Sequence, residues 1–213
     1  MKSIFLVRHG ESESNVDKTV LRTIPNAKVE LTEKGRVQAF NAGILLRDIG
    51  AFSATIGDPL FIVSPHVRTQ QTYTEILKSL PEREPTRYGP EYREDYLIRE
   101  IDIGNFIGNF DSIRRDLHII GKFNYRFPNG ESGADLVLRA SIFWERNKQK
   151  LTSFWGRDTI IVTHAATINA LRMVIENLTV AEYEALPKPR NCGILRYDVD
   201  HFSNLTIGEN LLH

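Results

Sequence analysis

The chain has 213 residues, in which 27 lysines and arginines balance 27 aspartates and glutamates for a formal net charge of +0. That balance disfavours a dedicated nucleic-acid binder, whose affinity rests on clustered excess positive charge. A composition that is 41% hydrophobic and 25% charged excludes disordered, collagenous and membrane classes.

Cys192 is the lone cysteine, so no disulfide closes within the chain and a reducing, cytoplasmic setting is expected. The apolar run Ile4 to Val7 stops at Arg8, short of the roughly 7 to 15 apolar residues of a secretory leader. No run reaches the ~18 apolar residues of a membrane span, so no membrane partner is expected.

Short apolar runs alternate with helical patterns along the chain, which reads as α/β with a mainly parallel sheet. Ser3 to Val7 is the first strand, followed by a polar stretch from about Glu11 to Asn26. Thr32 is an expected N-cap to a helix whose apolar stripe reads Val37, Phe40, Ile44, Leu45 and Ile49, with Gly50 ending it. Leu60 to Val63 is a second strand. Ser64-Pro65 then turns into a helix reaching about Leu80, Pro65 suiting its first turn. Pro81 to Pro90 reads as a surface connection, and Tyr92 to Ile98 as a third short strand. The glycine-bearing segment Gly104 to Gly130 reads as an irregular excursion or lid with a short helix near Ser112 to Ile119. Ser132 and Asp135 form a capping pair for a helix to about Leu151, its faces placed by Leu136, Ala140, Phe143 and Lys150. Thr159 to Val162 is a buried strand, Ala165 to Leu178 a helix, and Ile194 to Val199 a strand at a sheet edge. With no repeat or low-complexity tract, residues 1–213 read as one domain.

Three apolar runs end in the same kind of chemistry. IFLV gives way to Arg8-His9-Gly10, FIV to Ser64-Pro65-His66-Val67-Arg68, and TIIV to Thr163-His164-Ala165. Ligand sites in open α/β sheets lie at the carboxyl ends of the strands, so these segments are expected to converge. Paired histidines also suit a metal, but the permanent charge of Arg8 repels a cation and guanidinium forks match a phosphoryl group. No metal or other cofactor is expected. A histidine beside a held phosphoryl group is a competent nucleophile. Transfer through it needs charge stabilisation, which the arginines supply, and a carboxyl group to protonate the leaving oxygen. Glu94, Asp95, Glu100 and Asp102 all offer such a carboxyl.

Arg8-His9-Gly10-Glu11-Ser12 with Asn15 resembles the signature of the histidine phosphatase superfamily, in its phosphoglycerate-mutase-like branch. Further blocks follow in the family's order: Leu31-Thr32-Glu33-Lys34-Gly35 with Gln38-Ala39, Ser64 through Thr72, Arg99-Glu100 with Gly104, Gly130-Glu131-Ser132, and Val162-Thr163-His164. The resemblance implies a three-layer α/β/α sandwich, with His9 as the nucleophile that becomes phosphorylated. It also implies Arg8, Arg68 and His164 as the phosphate pocket, Asn15 as a further donor, and Glu100 as proton donor and later activator of water. Asn15 has a rival role as a cap of the turn after the first strand, and Ser64 reads either as a hydrogen-bonding residue within the pocket or, the preferred reading, as the start of the next helix. Ala165 stands where the family often has glycine, and its backbone N–H remains available to a phosphate.

The branch holds both mutases and phosphatases. Adjacent Arg114 and Arg115 suit a mutase, but they lack the proline-rich continuation of the mutase insertion and read as a solvated helix face. Gly104-Asn105-Phe106 and Tyr125 through Ser132 are similar to eukaryotic members regarded as broad-range acid phosphatases. Hydrolysis of a small phosphomonoester is therefore expected, with bisphosphoglycerate-dependent mutase as the alternative and a non-catalytic phospho-ligand module as a third reading. Phe106, Phe110, Phe123, Tyr125 and Phe127 read as core anchors or as a substrate wall.

Overall fold

The computed structural model describes residues 2–52, 58–80, 92–104, 110–153 and 156–210. The Pro81 to Pro90 connection, Asn105 and Phe106 fall outside the described residues. Six strands form one sheet: β1 Lys2–Arg8, β2 Leu60–Val63, β3 Tyr92–Glu94, β4 Thr159–Thr163, β5 Ile194–Val199 and β6 Leu205–Asn210. Their spatial order is β3-β2-β4-β1-β5-β6, parallel from β3 to β1 and antiparallel for β5 and β6. The helices are α1 Glu13–Val16, α2 Glu33–Asp48, α3 Val67–Lys78, α4 Phe110–Ile120, α5 Gly133–Thr152, α6 Ala165–Ile175 and α7 Val180–Ala185.

Side chains alternate across a strand, and here the alternation separates two cores. Ile4, Leu6, Leu60, Ile62 and Ile161 face α5 and α6, packing on Leu136, Phe143, Trp144, Ile168 and Leu171. Phe5, Val7, Phe61, Val63, Ile160 and Val162 face the other way, onto Ala39, Ala42 and Leu46 of α2 and Ile76 of α3. Each leucine- or phenylalanine-sized side chain fully buried this way contributes about 2 kcal/mol. The result is the expected three-layer α/β/α arrangement with a mostly parallel sheet.

The caps behave as the sequence indicates. Thr32 Oγ1 accepts from Gly35 N at 3.0 Å, and Gly50 leaves α2 at φ +83°. Ser132 and Asp135 bond reciprocally at the start of α5. Other details differ. In α2 the buried positions are Gly35, Ala39, Ala42, Gly43 and Leu46, while Val37 and Phe40 are exposed. Small residues turn inward because α3 packs so close that a Cβ on Gly43 would strike Ser79 and Ile76. Pro65 precedes α3 rather than entering it, since His66 is the N-cap. β5 is not an edge strand, because β6 pairs outside it. The polar stretch after β1 holds α1 and a 3-10 helix at Lys18–Arg22.

Candidate active site

The register of the parallel strands places the functional residues side by side. Arg8 lies opposite Thr163 and Val63 opposite Val162. The ladder continues one residue past the strands, with His9 N donating to Thr163 O and Ser64 N to Val162 O, both at 3.0 Å. His9, His164 and Ser64 therefore emerge from the ends of β1, β4 and β2, three neighbouring strands of the sheet.

The turn after His9 is held from several directions. Gly10 N donates to Thr72 Oγ1, Glu11 N to Gln38 Oε1, and Thr32 N to Glu11 O. Gly10 and Gly35 meet backbone to backbone, so a Cβ on either would collide with the other segment. Two separated sequence blocks thus lock together without side chains between them.

His9 is 2% exposed and its tautomer is set by its neighbours. Nδ1–H donates to Gly10 O at 2.7 Å, which leaves the lone pair on Nε2, where Arg68 Nε–H donates at 3.2 Å. His164, wholly buried, has its ring centroid 5.2 Å from that of His9 and 4.8 Å from that of His66. Ser64 Oγ accepts from His66 N at 3.5 Å and lies 2.7 Å from His164 Nε2. With Ser64 donating to Nε2, the His164 proton sits on Nδ1, 3.9 Å from Glu100 Oε2. Ser64 does not begin α3, so of its two readings the preferred helix start is corrected and the pocket hydrogen bond is the one found: its hydroxyl orients His164.

Arg8 is buried, donating to Pro189 O at 2.8 Å and to Asn15 Oδ1 at 3.4 Å, with Nε unpartnered. Arg68 NH1 donates to Asn26 O at 2.6 Å. Asn15 Oδ1 accepts from Ser12 N and from Asn191 Nδ2, so its oxygen serves the α1 cap and the loop while its Nδ2 faces no protein partner among the described residues. Both roles weighed for Asn15 are thus compatible. Asn191 also donates to His9 O at 3.2 Å. Ala165 opens α6, so its N–H is one of the helix-start donors without an intrahelical acceptor.

Glu100 sits on the loop following the 3-10 turn Tyr96–Ile98, its Oε1 accepting from Ile101 N at 3.0 Å. That loop is clamped. Arg139 donates to Leu97 O, Arg99 O and Glu100 O and forks onto Glu131, which also accepts from Arg99 and from Asp102 N. Thr163 and Thr167 hydroxyls hold Ile98 O and Arg99 O. Burial pushes Glu131 up, but the Arg139 hydrogen bond, Asp102 N–H and both arginine charges outweigh it and hold the carboxyl below its usual range.

Burial, reinforced by Arg68 and Arg8, drives His9 and His164 well below the ordinary histidine range. His66 is lowered to about 3 by burial and by Arg68, Arg99 and Arg139. Arg68, lowered to about 10 by burial, remains a cation at neutral pH. The site therefore holds neutral imidazoles among fixed positive charges.

His9, His164 and Glu100 offer ligand atoms within 4.8 Å of one another. The Arg68 N–H on His9 Nε2 puts a permanent cation where a metal ion would bind, so this donor set suits the oxygens of an anion.

The structure thus brings together His9, Arg8, Arg68, His164, Glu100, Asn15 and Ala165. His66, Asn191, Thr72 and the Arg139–Glu131 pair join them without having been singled out. Arg114 and Arg115 lie exposed on α4, Arg115 beside Asp116. Phe123 packs on Tyr183 and Tyr125 on Phe127, which makes these aromatics anchors.

A family model described as histidine phosphatase superfamily (branch 1) matches residues 4–207. A phosphoglycerate mutase-like protein of Arabidopsis thaliana is 35% identical over 91% of this chain, which spans 63% of that relative's length. A broad-range acid phosphatase of Saccharomyces cerevisiae is 27% identical, covering 94% of this chain and 86% of the relative. A solved mycobacterial glucosyl-3-phosphoglycerate phosphatase in complex with VO3 superposes with a TM-score of 0.76 at 22% identity, all of both chains being covered. With its blocks in order and its strand ends converging, the chain belongs to branch 1 of the histidine phosphatase superfamily.

Proposed function

We propose that the protein is a phosphomonoester hydrolase working through a phosphohistidine. The observation that carries this reading is the environment of His9: a neutral ring tied at Nδ1 to Gly10 O, its Nε2 lone pair facing Arg68, and a ring nitrogen within 4.8 Å of ligand atoms on Glu100 and His164.

In the first step Nε2 attacks phosphorus, the bond to the leaving oxygen breaks, and Glu100, carrying a proton, delivers it to that oxygen. Arg68 Nε–H passes from Nε2 to a phosphate oxygen. Arg8 Nε, His164 Nδ1, Asn15 Nδ2 and Ala165 N–H supply further donors to the charge spread over the equatorial oxygens. In the second step water attacks the same phosphorus, Glu100 takes its proton, the P–N bond breaks and inorganic phosphate leaves. The yeast relative, named a broad-range acid phosphatase, supports hydrolysis.

Bisphosphoglycerate-dependent mutase is the second reading, favoured by the name of the Arabidopsis relative. Bisphosphate-dependent isomerisation of 3-phosphoglycerate faster than phosphate release establishes it in place of hydrolysis.

Incubation with p-nitrophenyl phosphate between pH 4 and 8 is expected to release nitrophenol and to trap an acid-labile phosphoprotein. His9→Ala lowers turnover by at least about a thousandfold with the fold retained. No turnover and no phosphoprotein in the wild type defeats the enzymatic reading.

A further inference from the structure

Next to the reaction centre lies a cleft of about 660 Å³ walled by Arg8, Asn15, Lys18, Lys34, Lys188 and Arg190. It shares Arg8 and Asn15 with the phosphate pocket, while His9, Arg68, Glu100 and His164 lie outside its wall. The volume is that of a site for a whole small molecule, well beyond the needs of one phosphoryl group.

Its charge is one-sided. Glu11 is the carboxylate in the wall, and it is taken by Lys34 at 2.9 Å. Lys18, Lys188 and Arg190 form no ion pair among the described residues. Partial burial and the nearby Lys188, Arg68 and Arg8 charges lower Lys18, while Glu100 acts against them. Lys188 is lowered by partial burial and by Arg8, again opposed by Glu100. Both ammonium groups therefore sense the reaction centre itself. Crowding uncompensated cations at one mouth, in a chain whose net charge is +0, costs electrostatic free energy that an anionic ligand offsets.

We propose that this cleft is a second anion subsite, holding a phosphate or carboxylate carried on the leaving group of the substrate, with Lys18, Lys188 and Arg190 supplying the charge. The inference rests on the phosphatase reading for the place of the first phosphoryl group. It narrows the substrate class to phosphomonoesters with a second anionic group.

The test is binding in the His9→Ala chain, where no turnover intervenes, measured by calorimetry for two matched pairs. 3-Phosphoglycerate is compared with glycerol 3-phosphate, which has a hydroxymethyl group in place of the carboxylate, and fructose 1,6-bisphosphate with fructose 6-phosphate. The doubly anionic member of at least one pair is expected to bind about tenfold tighter, and the pair that discriminates tells carboxylate from phosphate. Adding Lys18→Gln and Lys188→Gln should close the gap to about twofold or less. No discrimination in either pair, or a gap that survives the two substitutions, overturns the subsite. Wild-type turnover of p-nitrophenyl phosphate, run in parallel, reports the phosphatase reading separately.

Discussion

His9 and Glu100 divide the work of the first step, and their surroundings suit them differently. His9 is buried and tethered at both ring nitrogens, whereas the Glu100 side chain keeps 18% of its surface exposed beside His164. A proton donor matters in proportion to how poor the leaving group is. Glu100→Gln is therefore expected to slow alkyl phosphates by about 10²- to 10³-fold and aryl phosphates by about tenfold or less, measured as kcat/KM across leaving groups of different pKa. Equal losses on both classes assign the acid role to another carboxyl. The histidines and arginines of the pocket were legible because each lies just past a short apolar run, and strand ends in an α/β sheet define where a ligand binds, whereas Glu100 and Asn15 were named only by the family resemblance. For Ser64 the helix start was preferred over a pocket hydrogen bond because Ser before Pro is an ordinary helix-start signal. Only the register of β2 against β4 reveals that its hydroxyl meets His164 instead. Nothing local marks Asn191, which reaches His9 O from 182 positions away.

The elements differ in how far local pattern determines them. β1, β2 and β4 are buried on both faces, so their continuous apolar runs are unambiguous. The inward face of α2 carries glycine and alanine beside Leu46, so the apolar stripe placed it only in part: Leu45 and Ile49 pack on the core, Val37 and Phe40 are exposed, and tight packing on α3 decided the matter. β6 gave no signal, because Leu205–Asn210 follows a tight turn at the edge of the sheet and its pattern is half polar. The loop bearing Glu100 is the case with functional weight. It is fixed by α5, through the fork of Arg139 onto Glu131 and onto three backbone carbonyls. Arg139→Lys keeps the charge and loses the fork. It is expected to cost about 1–3 kcal/mol in urea denaturation and to slow alkyl phosphates several-fold more than aryl phosphates. A purely structural clamp would lower both substrates alike, so the leaving-group split identifies Arg139 as a positioning residue for Glu100.

At the scale of the whole molecule, the balance of 27 cations against 27 anions conceals an uneven distribution. Arg8 and Arg68 are buried at the reaction centre, surrounding three histidines that the fold keeps neutral. In the unfolded chain those histidines take protons near pH 6.5, while in the folded chain they stay unprotonated to much lower pH, about 3 for His66. Between these limits the unfolded state binds more protons, so stability falls as pH falls, by up to about 1.4 kcal/mol per pH unit for each histidine. The carboxyl of Asp135, held to about 2 by its bonds to Ser132 and Arg126, extends the loss further into acid. Urea midpoints measured from pH 7.5 to 5 are expected to fall steadily, with an uptake on unfolding near pH 5 that approaches three protons from these histidines. His66→Gln, which removes a titrating ring without touching the nucleophile, should reduce that uptake by nearly one proton. An unchanged slope in the variant would mean that His66 is charged in the folded protein. Because His9 keeps its lone pair down to pH values where the fold itself weakens, the acid limit of turnover should follow the loss of folded protein, and shift when stability is changed at His66.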